Sequence, residues 1–218
     1  MAAVQVRHLQ SSTLLQYPKH QCRISSHRPN SVFIVKAAVA SSNGLQLIKS
    51  GKMRPIVPKE ASDIIESEGF ILLDVRPIWE REKAYVSGTP HVPLFIKDED
   101  NSVLTLLKKW VHFGYIGCWT GQQFTTINPE FVQQVEKLVP DKKSKVLVAC
   151  GEGLRSLMAA SRLYEYGYRN LGWLAGGFNR AGDDDFKAVE GEEKLQYAAI
   201  GGASYYFLKV LLFLQAVK

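Results

Sequence analysis

The chain has 218 residues, room for one domain of ordinary size with appendages. A hydrophobic share of 46% with nine prolines excludes a disordered or fibrous protein. The net charge of +6 does not signal nucleic acid, because nine basic residues and no acid precede Glu60, whereas 18 basic residues face 21 acidic ones from there on.

Residues 1–37 read as an organelle transit peptide: rich in Ser and Arg, free of acids and without a long apolar core. Val35-Lys36-Ala37-Ala38 resembles a chloroplast stromal processing site, with mitochondrial import as the competitor. Residues 38–60 are expected to be a linker, and 61–188 the folded domain. Lys59 to Glu68 suits a short helix with Ile64 and Ile65 inward. Phe70 to Val75 and Lys145 to Ala149 are continuous apolar runs of the kind buried in a parallel sheet. Between them lies a segment over about 97–128, expected to be an insertion, whose apolar stretch Leu104 to Trp119 suits a helix lying on the domain. That insertion is also a candidate surface for a protein partner. Ser156 to Tyr166 suits an amphipathic helix, and Leu171 to Leu174 another short strand turned by Gly176-Gly177. Strands alternating with helices predict an α/β fold with a mainly parallel central sheet flanked by helices.

The chemistry concentrates at Cys150-Gly151-Glu152-Gly153-Leu154-Arg155-Ser156, which follows a buried strand and opens a helix. In such sheets ligands bind beyond the carboxyl ends of the strands. Backbone N–H groups of a glycine-rich loop can converge into an anion nest, and both nest and helix N-terminus favour a thiolate at Cys150. Gly151 and Gly153 supply the backbone freedom for a tight cradle. Arg155 can fold back and bind an oxyanion bidentately. The bland alternatives are a buried structural cysteine and a surface arginine. Asp74, at a strand end, reads as a structural acceptor or ion-pair partner, and Arg76 divides evenly between structure and site rim. His91 is expected to satisfy backbone groups in a loop, and Cys118 to be a packed hydrophobe. Three cysteines, Cys22, Cys118 and Cys150, are too scattered for a disulfide framework or zinc site, and no metal or cofactor is implied.

Four elements in order carry a family resemblance. Cys150-x4-Arg155-Ser156 is similar to the active loop of rhodanese-like domains, and Asp74-Val75-Arg76 to that family's Asp-Val-Arg signature. Gly88-Thr89-Pro90-His91-Val92-Pro93 resembles the Gly-Ala-x-His/Asn-Ile-Pro element, and Leu174-Ala175-Gly176-Gly177-Phe178 the closing Leu-x-Gly-Gly turn. Among such proteins the chain looks most like the single-domain rhodanese-like sulfurtransferases of plant chloroplasts. The resemblance implies a rhodanese fold and a persulfide on Cys150, passed from a small sulfur donor to a thiol or protein acceptor. It also implies that Arg155 binds the substrate anion, with Gly151 to Leu154 and Ser156 forming the rest of the cradle, while Asp74 and Arg76 are structural or rim positions.

Phosphatases of the same fold are the first rival, but their loop carries five residues between cysteine and arginine, and this one carries four. A docking module at a plastid membrane, without catalysis, is the second. Glu152 puts a carboxylate beside the anion site, at a cost to doubly charged donors of about 2–3 kcal/mol at roughly 6 Å in a dielectric near 20. Finally, residues 189–218 form a hydrophobic C-terminal segment. Tyr197 to Val217, 21 residues with Lys209 as the only charge, is expected to attach to a membrane by spanning it or lying in it. The alternative is a helix packed on its own domain, over the insertion.

Overall fold

The structure, a computed structural model, describes residues 43–216; the expected transit peptide lies outside them. A helix over 43–49 (α1) leads into β1 (Met53–Ile56), then α2 (Pro58–Glu68), β2 (Ile71–Asp74), the single turn α3 (Ile78–Arg81) and β3 (Tyr85–Val86). The next stretch runs β4 (Phe95–Lys97), α4 (Val103–His112), a π-helical turn Phe113–Gly117, α5 (Cys118–Thr120), β5 (Thr125–Ile127) and α6 (Phe131–Leu138). The remainder is β6 (Val146–Ala149), α7 (Leu154–Glu165), β7 (Leu171–Leu174), β8 (Val189–Glu190) and α8 (Gly202–Ala216).

Four parallel strands in the order β1-β7-β6-β2 make the central sheet, with helices on both faces, as the α/β reading expected. The period of two along β6 divides the core. Val146, Val148 and then Cys150 point to the side of α6 and α7, among Phe131, Val135, Leu157 and Leu163. Leu147 and Ala149 point the other way, into a layer with Ala61 and Ile64 of α2, Leu174 and Phe178. Each large aliphatic side chain so buried contributes about 1.5–3 kcal/mol relative to exposure.

Three sequence boundaries move. Residues 43–56, expected as linker, belong to the fold: β1 pairs along its whole length with β7, from Met53–Leu171 to Ile56–Leu174. Residues beyond 188 belong to it as well, since β8 pairs antiparallel with β3 and Leu195 and Ala198 enter the core. The helix expected from Ser156 begins at Leu154, so Leu154 and Arg155 sit on its first turn.

The insertion is tied at its base, where β4 and β5 pair antiparallel from Phe95–Ile127 to Lys97–Thr125. Its helix does not lie with its apolar side on the domain. Val103, Leu104, Leu107, Trp110 and Val111 are exposed, while Thr105 is buried. Cys118, expected to be packed, is exposed too.

The expected continuous helix over 197–217 is broken. Residues Leu195–Tyr197 form a 3-10 turn, and α8 starts only at Gly202, whose φ of +58° no side-chain-bearing residue adopts easily. The break allows backbone contact between Gly202 and Gly121 at the end of α5. The 15 residues of α8 span about 22 Å, and among the described residues no helix is long and apolar enough to cross a membrane.

Candidate active site

Cys150 is the first residue beyond β6, and its side chain has 0% exposure. Two backbone N–H groups donate to its sulfur, Gly153 at 3.1 Å and Ser156 at 3.3 Å. They converge because Gly153, at φ +97°, turns the chain back on itself just as α7 begins. This is the nest expected from the glycine spacing, with a helix N-terminus behind it. The Ser156 hydroxyl lies 3.4 Å from the sulfur and donates to the Gly153 carbonyl at 2.8 Å. Trp173 Nε1–H donates to that carbonyl at 2.9 Å and lies 3.1 Å from the Ser156 hydroxyl oxygen, fixing both. The sulfur therefore sits in a donor-rich cradle whose members are themselves held.

The outer side of the loop is held by the Gly176-Gly177 turn. Phe178 N–H donates to the Cys150 carbonyl at 2.8 Å and Asn179 N–H to the Gly151 carbonyl at 2.9 Å. Gly177, at φ +66° and ψ −168°, occupies backbone space open to glycine alone, and a Cβ there would overlap those same two carbonyl oxygens. The turn expected merely to close a strand is thus the brace of the active loop.

Arg155 is placed near the cysteine, as expected, but its guanidinium is engaged. Its two terminal nitrogens donate to Glu80, Nη1 to Oε1 at 2.7 Å and Nη2 to Oε2 at 2.6 Å. The Arg155 side chain is 24% exposed and that of Glu80 8%. Burial weighs most on Arg155 and acts against its charge. The hydrogen bonds and charge of Glu80, with a smaller contribution from Cys150, outweigh it and hold the guanidinium above its ordinary pKa. Glu80, on α3, was not singled out in the sequence. Its one visible signal is its place six residues after Asp74, on the turn that follows the Asp-Val-Arg element.

Asp74 and Arg76 are not at the rim: they are 1% and 0% exposed. Arg76 Nε donates to Asp74 at 3.0 and 3.1 Å, its Nη2 to Asp74 Oδ2 at 2.7 Å, and the same Nη2 to the Ala84 carbonyl at 2.9 Å. The guanidinium carbon lies 4.4 Å from the centre of the Phe178 ring. The pair therefore ties β2 and the loop after α3 to the turn that braces Cys150. His91 Nε2 is 2.8 Å from the Arg76 carbonyl, in the backbone-satisfying role expected of it, and burial holds the ring below its ordinary pKa.

A cavity of about 310 Å³ opens over the loop. Cys150, Glu152, Leu154 and Arg155 line one side, Trp79, Glu80 and Phe95 another, and Gln122, Gln123 and Ala199 a third. Glu152 is exposed at this mouth, so solvent screens its charge more than the sequence alone suggested. A thiol sulfur with converging N–H donors beneath a cavity can attack an electrophilic sulfur and hold the resulting anion.

Residues 57–182 match the rhodanese-like domain family. Rhodanese-like domain-containing protein 10 of Arabidopsis thaliana is 60% identical over 176 residues, 81% of this chain and 82% of that one. Rhodanese-like domain-containing protein 11, chloroplastic, of the same plant is 41% identical over 73% of this chain, which spans 54% of that protein's length. Rhodanese-like domain-containing protein 9, chloroplastic, again from Arabidopsis thaliana, is 37% identical over 70% of this chain and 64% of its own length. The family match takes in the strand, the loop and the turn beneath it, and with this degree of likeness to named relatives the chain belongs to the rhodanese-like domain family.

Proposed function

We propose that the chain is a sulfurtransferase that carries sulfane sulfur on Cys150. The observation that supports this reading most is the convergence of the Gly153 and Ser156 N–H groups on Sγ beneath the cavity. In the first half-reaction the Cys150 thiolate attacks the outer sulfur of a donor. A new S–S bond forms, the donor's own S–S bond breaks, and its electron pair leaves with the donor fragment, which is sulfite when the donor is thiosulfate. In the second, an acceptor thiolate attacks the terminal persulfide sulfur and takes it, and the electron pair of the broken bond returns to Cys150. The loop amides that converge on Sγ stabilise the thiolate from which the first half-reaction starts and to which the second returns. Incubating the protein with donor should add one sulfur atom to its mass, and Cys150→Ser should lose both that gain and turnover. Transfer by Cys150→Ser at the parent rate overturns the proposal.

Two observations favour a second reading, a docking domain without physiological catalysis. Glu80 occupies the guanidinium that would bind a donor anion, and Cys150 has no exposed surface. Absence of the mass gain with thiosulfate, a small-molecule persulfide and a mercaptoacid alike would select it. The site of action we propose is the chloroplast, on the composition of residues 1–37 and the names of two relatives. Residues 1–37 fused to a fluorescent protein should direct it to chloroplasts, and mitochondrial or cytosolic fluorescence refutes this.

A further inference from the structure

We infer that the sulfur donor of this site is a small aminothiol persulfide, whose ammonium group Glu152 receives at the mouth of the Cys150 cavity. This names the donor class for the sulfurtransferase reading above and rests on that reading for the transfer step.

Three charged side chains line the cavity: the carboxylates of Glu80 and Glu152 and the guanidinium of Arg155. Arg155 gives both terminal nitrogens to Glu80, at 2.7 and 2.6 Å, so those two groups answer each other. Glu152 is left over. It is exposed, and among the described residues no lysine or arginine pairs with it. Lys83, the other cation whose charge bears on Glu80, does not line the cavity; its Nζ donates to the Ile200 carbonyl at 2.6 Å, and Glu193 bears on it as well. The remaining polar lining, Gln122, Gln123 and Thr125, is neutral. The N–H groups of Gly153 and Ser156 are directed at Sγ, so they offset the thiolate and not the charge of a donor.

A cavity furnished in this way is net negative and favours a cation over an anion. That preference is local, because the chain as a whole carries +6. Size points the same way as charge. At about 310 Å³ the cavity lies at the small end of ligand sites, and Cys150 has no exposed surface, which suits a small molecule better than a persulfide on a folded protein. Cys150 and Glu152 are two residues apart, so their Cα atoms are separated by no more than about 7 Å, and a short carbon chain between sulfur and nitrogen suffices. In the transfer step the Cys150 thiolate attacks the outer sulfur of the persulfide. A new S–S bond forms, the donor's S–S bond breaks, and its electron pair leaves on the aminothiol sulfur, while the proton of the outer sulfur stays there.

The test uses three methanethiosulfonates that differ only at the end of a two-carbon chain: 2-aminoethyl, 2-hydroxyethyl and 2-sulfonatoethyl. Cys150 attacks the sulfur that carries the chain, and methanesulfinate leaves with the electron pair, the same leaving group in all three. Rates are read by mass on the full-length protein bearing Cys22→Ser and Cys118→Ser, and divided by those of free 2-mercaptoethanol. The aminoethyl reagent should be fastest and exceed the sulfonatoethyl one about tenfold, since each unit of charge beside an exposed, screened carboxylate is worth roughly two- to fivefold. Glu152→Gln should bring the ratio within about threefold and Glu152→Lys should invert it. Glu165→Gln, at an exposed acid on the far end of α7, should leave it unchanged. Equal rates in the parent, a faster sulfonatoethyl reagent, or a ratio that survives Glu152→Gln overturns the proposal. So does failure of all three to modify Cys150, because the cavity then admits no such chain. Labelling needs no sulfur transfer, so the charge preference can fail while the mass gain from a donor stands, and the reverse.

Discussion

Replacing Glu80 by Gln tests how the site chooses its sulfur donor. The Glu80 carboxylate holds both terminal nitrogens of Arg155 and so stands where a donor anion would bind. At an effective dielectric near 20, a unit charge about 5 Å from a bound anion opposes it by ~3 kcal/mol. The Arg155 side chain is 24% exposed, and solvent screening brings the effect to about 1.5 kcal/mol. Glu80→Gln should therefore raise kcat/KM for thiosulfate about tenfold and leave an uncharged donor within about twofold. The amide keeps one hydrogen bond to Arg155, so the loss of stability should be about 1–2 kcal/mol rather than the 3–5 of a buried charge left alone. Steady-state sulfur transfer to cyanide with the two donors, beside thermal melts, measures both. An unchanged or lower kcat/KM for thiosulfate would refute the view that Glu80 screens the site against anions.

Glu152→Gln should act in the same direction on thiosulfate but by only about two- to fivefold, since that carboxylate is exposed and screened; a larger gain than from Glu80→Gln would reverse the ranking. Gly177→Ala forces a Cβ onto the Cys150 and Gly151 carbonyls and should cost about 3 kcal/mol or more together with most of the activity; retention of both would mean that the brace yields without consequence. His91 is held below its ordinary value of 6.5, chiefly by burial, so the unfolded chain binds the proton more readily. Stability should then fall as pH drops through 6.5 towards the depressed native value and level off below it, and denaturant midpoints between about pH 8 and 5 should show a flatter slope for His91→Gln.

Much of the fold was legible because local patterns dictate it. Apolar runs at 70–73 and 146–149, each next to a turn signal, leave few alternatives to buried parallel strands. The Cys150 nest was legible for the same reason: strand end, glycines and helix start are adjacent in the chain. The Glu80–Arg155 pair joins positions 75 residues apart and leaves no mark on local spacing. The place of β1 was hidden in the same way, since its partner β7 lies far along the chain and the two prolines of Met53 to Pro58 read as linker. For α4 the periodicity identified which residues share a face, but not which way that face turns; Thr105 and Asp100 decide that in the fold. At 197–217 apolar content suggested one helix, and a glycine pair that makes a tight backbone contact divided it.

The pairing of Met53 with Leu171 also governs how the chain can mature in time. β1 must wait, unpaired, until more than a hundred later residues have appeared, and β6, at the middle of the sheet, cannot receive β7 before then either. Non-local pairing of this kind is slow, and synthesis at roughly 5–20 residues per second leaves β1 without its partner for several seconds. The β2–β6 pair needs no later strand, but the β1 side of the sheet closes only once β7 is present. A chain emerging from a ribosome or threading through a narrow pore thus stays pliable until almost all of it is through, and the sulfur cradle, which hangs between β6 and the turn after β7, is among the last parts to set.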